Sequence, residues 1–145
     1  MIVTVDTNVF FQALHRPDGA SNQIVKLARQ QQITVALSIP IFTEYRDVLL
    51  RPSSLKKFKL DNKAIIAFLG FLAILGKPHD IFFLWRPNLR DEADNIFIEL
   101  AVASRSEWLI TSNIRDFTVD SELLHDGLKI GTPAQFLSNW RTKNE

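Results

Sequence analysis

The sequence predicts an α/β fold built on a mainly parallel central sheet with helices on both faces. Three observations carry the expectation. Short β-branched, apolar runs alternate with amphipathic stretches of helical length, which is the pattern of βαβ units. No repeat, low-complexity tract or internal linker divides the 145 residues, so a single domain over 1–145 is expected. Acidic residues recur where the strands end, which is the edge at which open α/β sheets bind ligands.

The elements follow in order. Met1–Val5 is the first strand, with Ile2, Val3 and Val5 around β-branched Thr4. Asp6, followed by Thr7 and Asn8 in a turn-like stretch, comes next, after which Phe10 and Phe11 resume the apolar run. Ser21–Gln32 has Ile24, Leu27 and Ala28 at helical spacing and Ser21 as N-cap. Ile33–Ser38 is the second strand. Pro40–Leu50 is a helix begun by Pro, with Ile41, Tyr45, Val48 and Leu49 apolar. Arg51–Leu60 breaks it. Ala64–Gly76, "AIIAFLGFLAILG", is a buried helix or part of a dimer face, too short for the ~20 residues a bilayer requires. His79–Trp85 is the third strand, Glu92–Ser106 a helix and Trp108–Ser112 the fourth strand. Leu128–Thr132 is the last strand and Pro133–Arg141 the last helix. Right-handed crossovers then place helices on both faces.

Composition excludes several functions. Seventeen basic against sixteen acidic residues give a net charge of +1, so the total favours neither a basic nor an acidic partner. With no cysteine, disulfides and thiolate metal sites are ruled out. A basic, then apolar, leader pattern is missing, which suggests a cytoplasmic location and no membrane. Nucleotide-cradling glycine motifs and the nucleophile elbow are absent. His15, His79 and His125 show no metal spacing and read as surface or loop residues; Trp85, Trp108 and Trp140 read as core or interface.

The acids are the informative feature. Asp6 ends the first strand, and Glu44 lies early in the helix after the second. Asp91 and Asp94 flank the start of the helix after the third, and Asn113 and Asp116 follow the fourth. Singly, each has an ordinary use: Asp6, Asp91, Asp94 and Asp116 as caps or turn residues, Glu44 as a solvated helix residue. Together they converge on one edge, where their mutual repulsion calls for a divalent cation. Hard oxygen donors select Mg²⁺ or Mn²⁺.

Four pieces, "VDTNVF", "SIPIFTEYRDVLLRP", "LRDEADNIFIELAVASRSEWLITSNIRDF" and "IGTPAQFL", resemble the PIN-domain ribonucleases, within them the compact prokaryotic toxin-like group. The resemblance implies a PIN-like three-layer sandwich, Mg²⁺ or Mn²⁺ dependence and cleavage of RNA phosphodiester bonds. It assigns Asp6, Glu44 and Asp94 as the first, second and third acids, Thr7 and Asn8 as the polar pair after the first, and Thr111 as a hydroxyl supporting it. This chain departs at Ala93, where many relatives carry an acid, and at Asn113, the usual fourth-acid position, for which Asp116 substitutes. In this reading Asp6 is the central ligand, Asp94 and Asp116 share the metal, and Glu44 binds it through water or orients the nucleophile. Asn113 ligates or orients, and Asp91 stands in the outer shell. Arg90 and Arg115 contact phosphate, and the basic segment Arg46–Lys63 tracks the RNA backbone. A small antitoxin partner and a homodimer are further implications. The rivals are a non-catalytic PIN module that binds RNA or protein, and a metal-dependent DNA nuclease, although the long insertion expected for a DNA arch is missing.

Overall fold

Val3, Thr4 and Val5 of the first strand are all fully buried. Successive strand side chains point to opposite faces, so both faces of the sheet are covered there. The computed structural model describes residues 1–80, 92–117 and 127–144, with side chains of the helix that begins at Glu92 described from Asn95 onward.

The element order is β1 (Ile2–Val5), α1 (Thr7–His15), α2 (Ala20–Arg29), β2 (Thr34–Leu37), α3 (Ile39–Leu49), α4 (Pro52–Phe58), α5 (Asn62–Leu75), β3 (Lys77–Pro78), α6 (Glu92–Ser104), β4 (Trp108–Ile110), a 3₁₀ turn (Ile114–Phe117), β5 (Lys129–Gly131) and α7 (Pro133–Lys143). The five strands form one parallel sheet in the order β3-β2-β1-β4-β5. β1 pairs with β2 through Val3 and Val35 and with β4 through Val5 and Ile110. The chain therefore starts in the middle, builds outward to β3, then crosses back to β4. That reversal creates a crevice at the carboxyl ends of β1 and β4. The α/β class and the parallel sandwich are as the sequence predicts.

Several boundaries differ from expectation. The turn-like Asp6–Asn8 stretch starts a helix: Asp6 sits at the N-cap position and Thr7 opens α1, which buries Val9, Phe10 and Ala13 on one face. The N-cap of α2 is Gly19, and Ser21 lies inside the helix, buried. Arg51–Leu60 contains α4, because Pro52 at the first position starts a new helix as readily as it stops the old one. The third strand comes earlier than His79–Trp85. Lys77 and Pro78 pair with Ala36 and Leu37, and the edge position tolerates the proline; residues 81–85 lie outside the described residues. α5 buries Ile65, Phe68, Leu69 and Leu72 but leaves Ile66 and Ile74 exposed, so it is only half a core helix. Trp108 is core and Trp140 packs against it; Trp85 and His125 lie outside the described residues. His79 is half-buried.

One chain of aromatic rings ties these elements together. The Phe10 ring lies 5.0 Å from Tyr45 and 5.5 Å from Phe68, Tyr45 lies 6.3 Å from Phe97, and Phe97 lies 6.4 Å from Phe117. All but the tilted Tyr45–Phe97 pair are edge-on, and contacts of that kind add about 0.5–1.5 kcal/mol each beyond area burial. The rings belong to α1, α3, α5, α6 and the 3₁₀ turn. Tyr45 follows Glu44 and Phe117 follows Asp116, so the core fixes the backbone on which the acids stand.

Candidate metal centre

Asp6 is delivered to the crevice by register. Its backbone N–H donates to the Ile110 carbonyl at 2.9 Å, continuing the β1–β4 ladder by one residue, and this brings Thr111 beside it. The Thr111 hydroxyl donates to Asp6 Oδ2 at 2.7 Å, and the Asn8 carboxamide donates to the same oxygen at 3.0 Å. Asn8 in turn accepts the Ser112 N–H at 3.1 Å, which locks α1 to the end of β4. Although Asp6 is positioned as the N-cap of α1, its carboxylate makes no capping bond.

Asp6 is only 7% exposed. Burial raises its pKa above the ordinary carboxylate value, and the charge of Asp116 adds to the rise. Hydrogen bonds from Thr111, the Thr7 backbone and Asn8 pull the other way without cancelling it. An ionised Asp6 is therefore held at a cost that a nearby cation would offset.

The other acids are placed as follows. Glu44, half-buried on α3, accepts a hydrogen bond from the Thr7 hydroxyl. Tyr45 is fully buried, and its hydroxyl donates to the Val5 carbonyl, directly beneath Asp6. Burial raises the Tyr45 pKa far above its ordinary value, and the charges of Asp6 and Glu44 raise it further, so all three groups share one neighbourhood. Asp116 accepts from the Asn113 carboxamide at 2.8 Å, while the Asn113 N–H donates to the Thr111 hydroxyl at 3.1 Å. Asn113 thus orients Asp116 and buttresses Thr111. Arg115 is exposed on the 3₁₀ turn. Asp94 lies in the first turn of α6, which starts at the carboxyl edge because it runs back to feed β4; its side chain, together with Arg90 and Asp91, lies outside the described residues. All six basic side chains of Arg46–Lys63 are exposed.

Among the described residues, no group of three or more acidic or histidine side chains is close enough to hold a metal. The donor chemistry nevertheless fits a hard divalent ion: carboxylates, a carboxamide and no sulfur or imidazole. Asn95, beside Asp94 on α6, is buried with its carboxamide oxygen unpartnered among the described residues. Sequence reasoning missed two contributors. Ser112 carries no signal of its own. Tyr45 does carry one: it is the sole tyrosine, centred on an apolar helix face, and a buried phenol needs an acceptor.

The five-stranded parallel sheet, with Asp116 near the buried Asp6 at its switch point, defines an α/β protein. Within that class, this chain belongs to the PIN-domain family, whose model matches residues 2–115. It is 28% identical to an uncharacterised protein of Methanocaldococcus jannaschii, over 95% of this chain and 90% of that protein. Its fold is similar to the crystal structure of VapBC2 from Rickettsia felis bound to a DNA fragment from their promoter. That match has a TM-score of 0.61 and 17% identity, and covers 91% of this chain and 98% of the other. No helix among the described residues is long and apolar enough to cross a membrane.

Proposed function

We propose that this protein is a divalent-metal-dependent endoribonuclease acting in the cytoplasm as the toxin of a toxin–antitoxin pair. The observation that carries the reading is Asp6: a buried carboxylate at the switch point, held by Thr111 and Asn8, with Asp116 close enough to disturb its ionisation. Asp6, Asp94 and Asp116 would hold Mg²⁺ or Mn²⁺, with Glu44 beside them. Such an ion, when bound, acidifies a water and neutralises charge on the scissile phosphate. The chain's own groups do the rest. Thr111 and Asn8 fix the rotamer of Asp6, and Asn113 fixes that of Asp116. Glu44, oriented by Thr7, accepts a proton from the attacking water. Arg115 meets phosphate oxygens. Family membership supports the nuclease class, and the fold shared with VapBC2 supports an antitoxin partner.

A second reading, a non-catalytic module that binds RNA or a protein, is favoured by Asn113 at the fourth position and by the open spacing of the described acids. Incubation with RNA in Mg²⁺ or Mn²⁺ separates the two. Cleavage is expected, is stopped by chelator, and falls at least ~10²-fold in Glu44→Gln and in Asp94→Asn. Cleavage that survives chelation or is unaffected by both substitutions refutes the mechanism. Binding without cleavage selects the second reading.

A further inference from the structure

Beside the acidic crevice lies a cleft of about 320 Å³ whose wall has a different chemistry. Gly19, Ala20 and Ser21, the start of α2, line one side; Thr132 and Ala134, the start of α7, line the other; Arg16 and Ser112 complete it. α2 has ten residues and a glycine N-cap that offers its first-turn N–H groups no side-chain acceptor. Those donors and the helix dipole favour an anion. The small side chains of Gly19 and Ala20 let a ligand reach the backbone. α7 differs, since Thr132 and Gln135 close its end with a capping box.

A second observation concerns a side chain rather than the backbone donors. Ser21 is 7% exposed, lines the cleft, and makes no side-chain hydrogen bond among the described residues. Its oxygen is not sealed from solvent, so a ligand in the cleft can take the bond that water otherwise supplies. The third concerns direction. Asn8, Gln12 and Arg16 succeed one another at intervals of four along α1 and its C-cap, so they form one stripe about 12 Å long. The stripe starts at the Asn8–Asp6 hydrogen bond and ends in the cleft, which Gln12 also lines. Ser112 belongs to both places, bonding Asn8 through its N–H and walling the cleft.

We infer that the cleft between the starts of α2 and α7 binds a backbone phosphate of a single-stranded RNA whose scissile phosphodiester lies at Asp6. The identity of the ligand rests on the ribonuclease reading; the anion chemistry stands on the cleft itself. The contact is sequence-independent and sets how far from the cut the strand is gripped.

The test is binding of a fluorescent, unstructured RNA oligonucleotide by anisotropy, in chelator, from 50 to 200 mM salt. The proteins are the parent, Arg16→Gln and Ala20→Asp. Losing one phosphate contact is expected to reduce the logarithmic salt slope by about 0.7 in Arg16→Gln and to weaken binding roughly 5–10-fold. Ala20→Asp adds a carboxylate at the anion site but favours the helix dipole. It is expected to weaken binding at least ~10-fold while melting no lower than the parent. Unchanged affinity and slope in both variants overturn the inference. So does poly-glutamate binding that Arg16→Gln removes while RNA binding is unchanged, since that assigns the cleft to an acidic protein segment. RNA binding that depends on Arg16 and Ala20, without metal-dependent cleavage, supports the cleft and rejects the nuclease reading. Cleavage that requires Glu44 and Asp94, with no effect of Arg16 or Ala20 on binding, rejects the cleft alone.

Discussion

Replacing Asp6 by Asn should stabilise the metal-free protein. Thr111 and Asn8 both donate to Oδ2, and an Asn carbonyl placed there keeps both bonds. Exchanging charge-assisted for neutral hydrogen bonds loses about 1 kcal/mol. Against that stand the desolvation of a carboxylate only 7% exposed and the repulsion of Asp116. Because burial outweighs the hydrogen bonds in setting the ionisation of Asp6, the balance favours the neutral side chain, by something on the order of 1 kcal/mol. In a domain of 145 residues that is a rise of about 2–4 °C. The pH dependence fixes the sign independently. Folded Asp6 holds its proton more tightly than an unfolded Asp, whose pKa is 3.8, so the parent loses stability as pH rises from that value through the raised folded one. Asn does not titrate. The two proteins should melt together below the unfolded value and separate above it, the variant higher. Mg²⁺ or Mn²⁺ at a hundredfold excess over its Kd should then add about 2.7 kcal/mol to the parent and much less to the variant. Tryptophan-fluorescence melting curves, across pH and with or without metal, provide the measurement. A variant that melts lower than the parent in chelator at pH 7, with an equal response to metal, would refute the reasoning.

Three further outcomes are expected. Asp116→Asn should weaken Mn²⁺ binding in a calorimetric titration more than Asn113→Ala does, because Asn113 only orients the carboxylate; the reverse order makes Asp116 a structural cap. Tyr45, the sole tyrosine, should give no phenolate absorbance in the folded protein at pH 10–11, because its raised pKa keeps the proton. Stability should fall as pH rises above the unfolded tyrosine value near 10, and absorbance should appear only with unfolding; a normal spectrophotometric titration of the native state would contradict the buried bond to Val5. Gly131→Ala would place a methyl 2.6 Å from Trp108 Cζ3 and 3.1 Å from the Gln135 oxygen that caps α7, costing about 1–3 kcal/mol in urea unfolding. A neutral effect there would mean that the β5–α7 corner relaxes freely.

The sheet was legible where strands are buried on both faces, since Val3, Val35 and Leu109 sit in runs too apolar and too short for surface helices. α1 was hidden because Asp6-Thr7-Asn8 is equally good as a turn and as a helix start, and only Val9, Phe10 and Ala13, spaced by one and three, betray the helix. α4 was hidden by reading Pro52 as a stop. The acids could be found by their recurrence at strand ends. Their supports could not. That Thr111 touches Asp6 depends on β4 lying beside β1, and strand order is a property of the whole chain that no local pattern encodes. Ser112 contributes a backbone N–H, which every residue but proline possesses, so its side chain announces nothing.

The pairing of Asp6 with Thr111 has a consequence for the protein's birth. The two residues are 105 positions apart, and β1 has an empty flank until β4 is made. At a synthesis rate of ~5–20 residues per second the second arrives roughly 5–20 s after the first. A ribosome-borne fragment therefore cannot complete the Asp6 environment, however long it lingers. The crevice stays open on one side until the chain through Thr111 has left the tunnel.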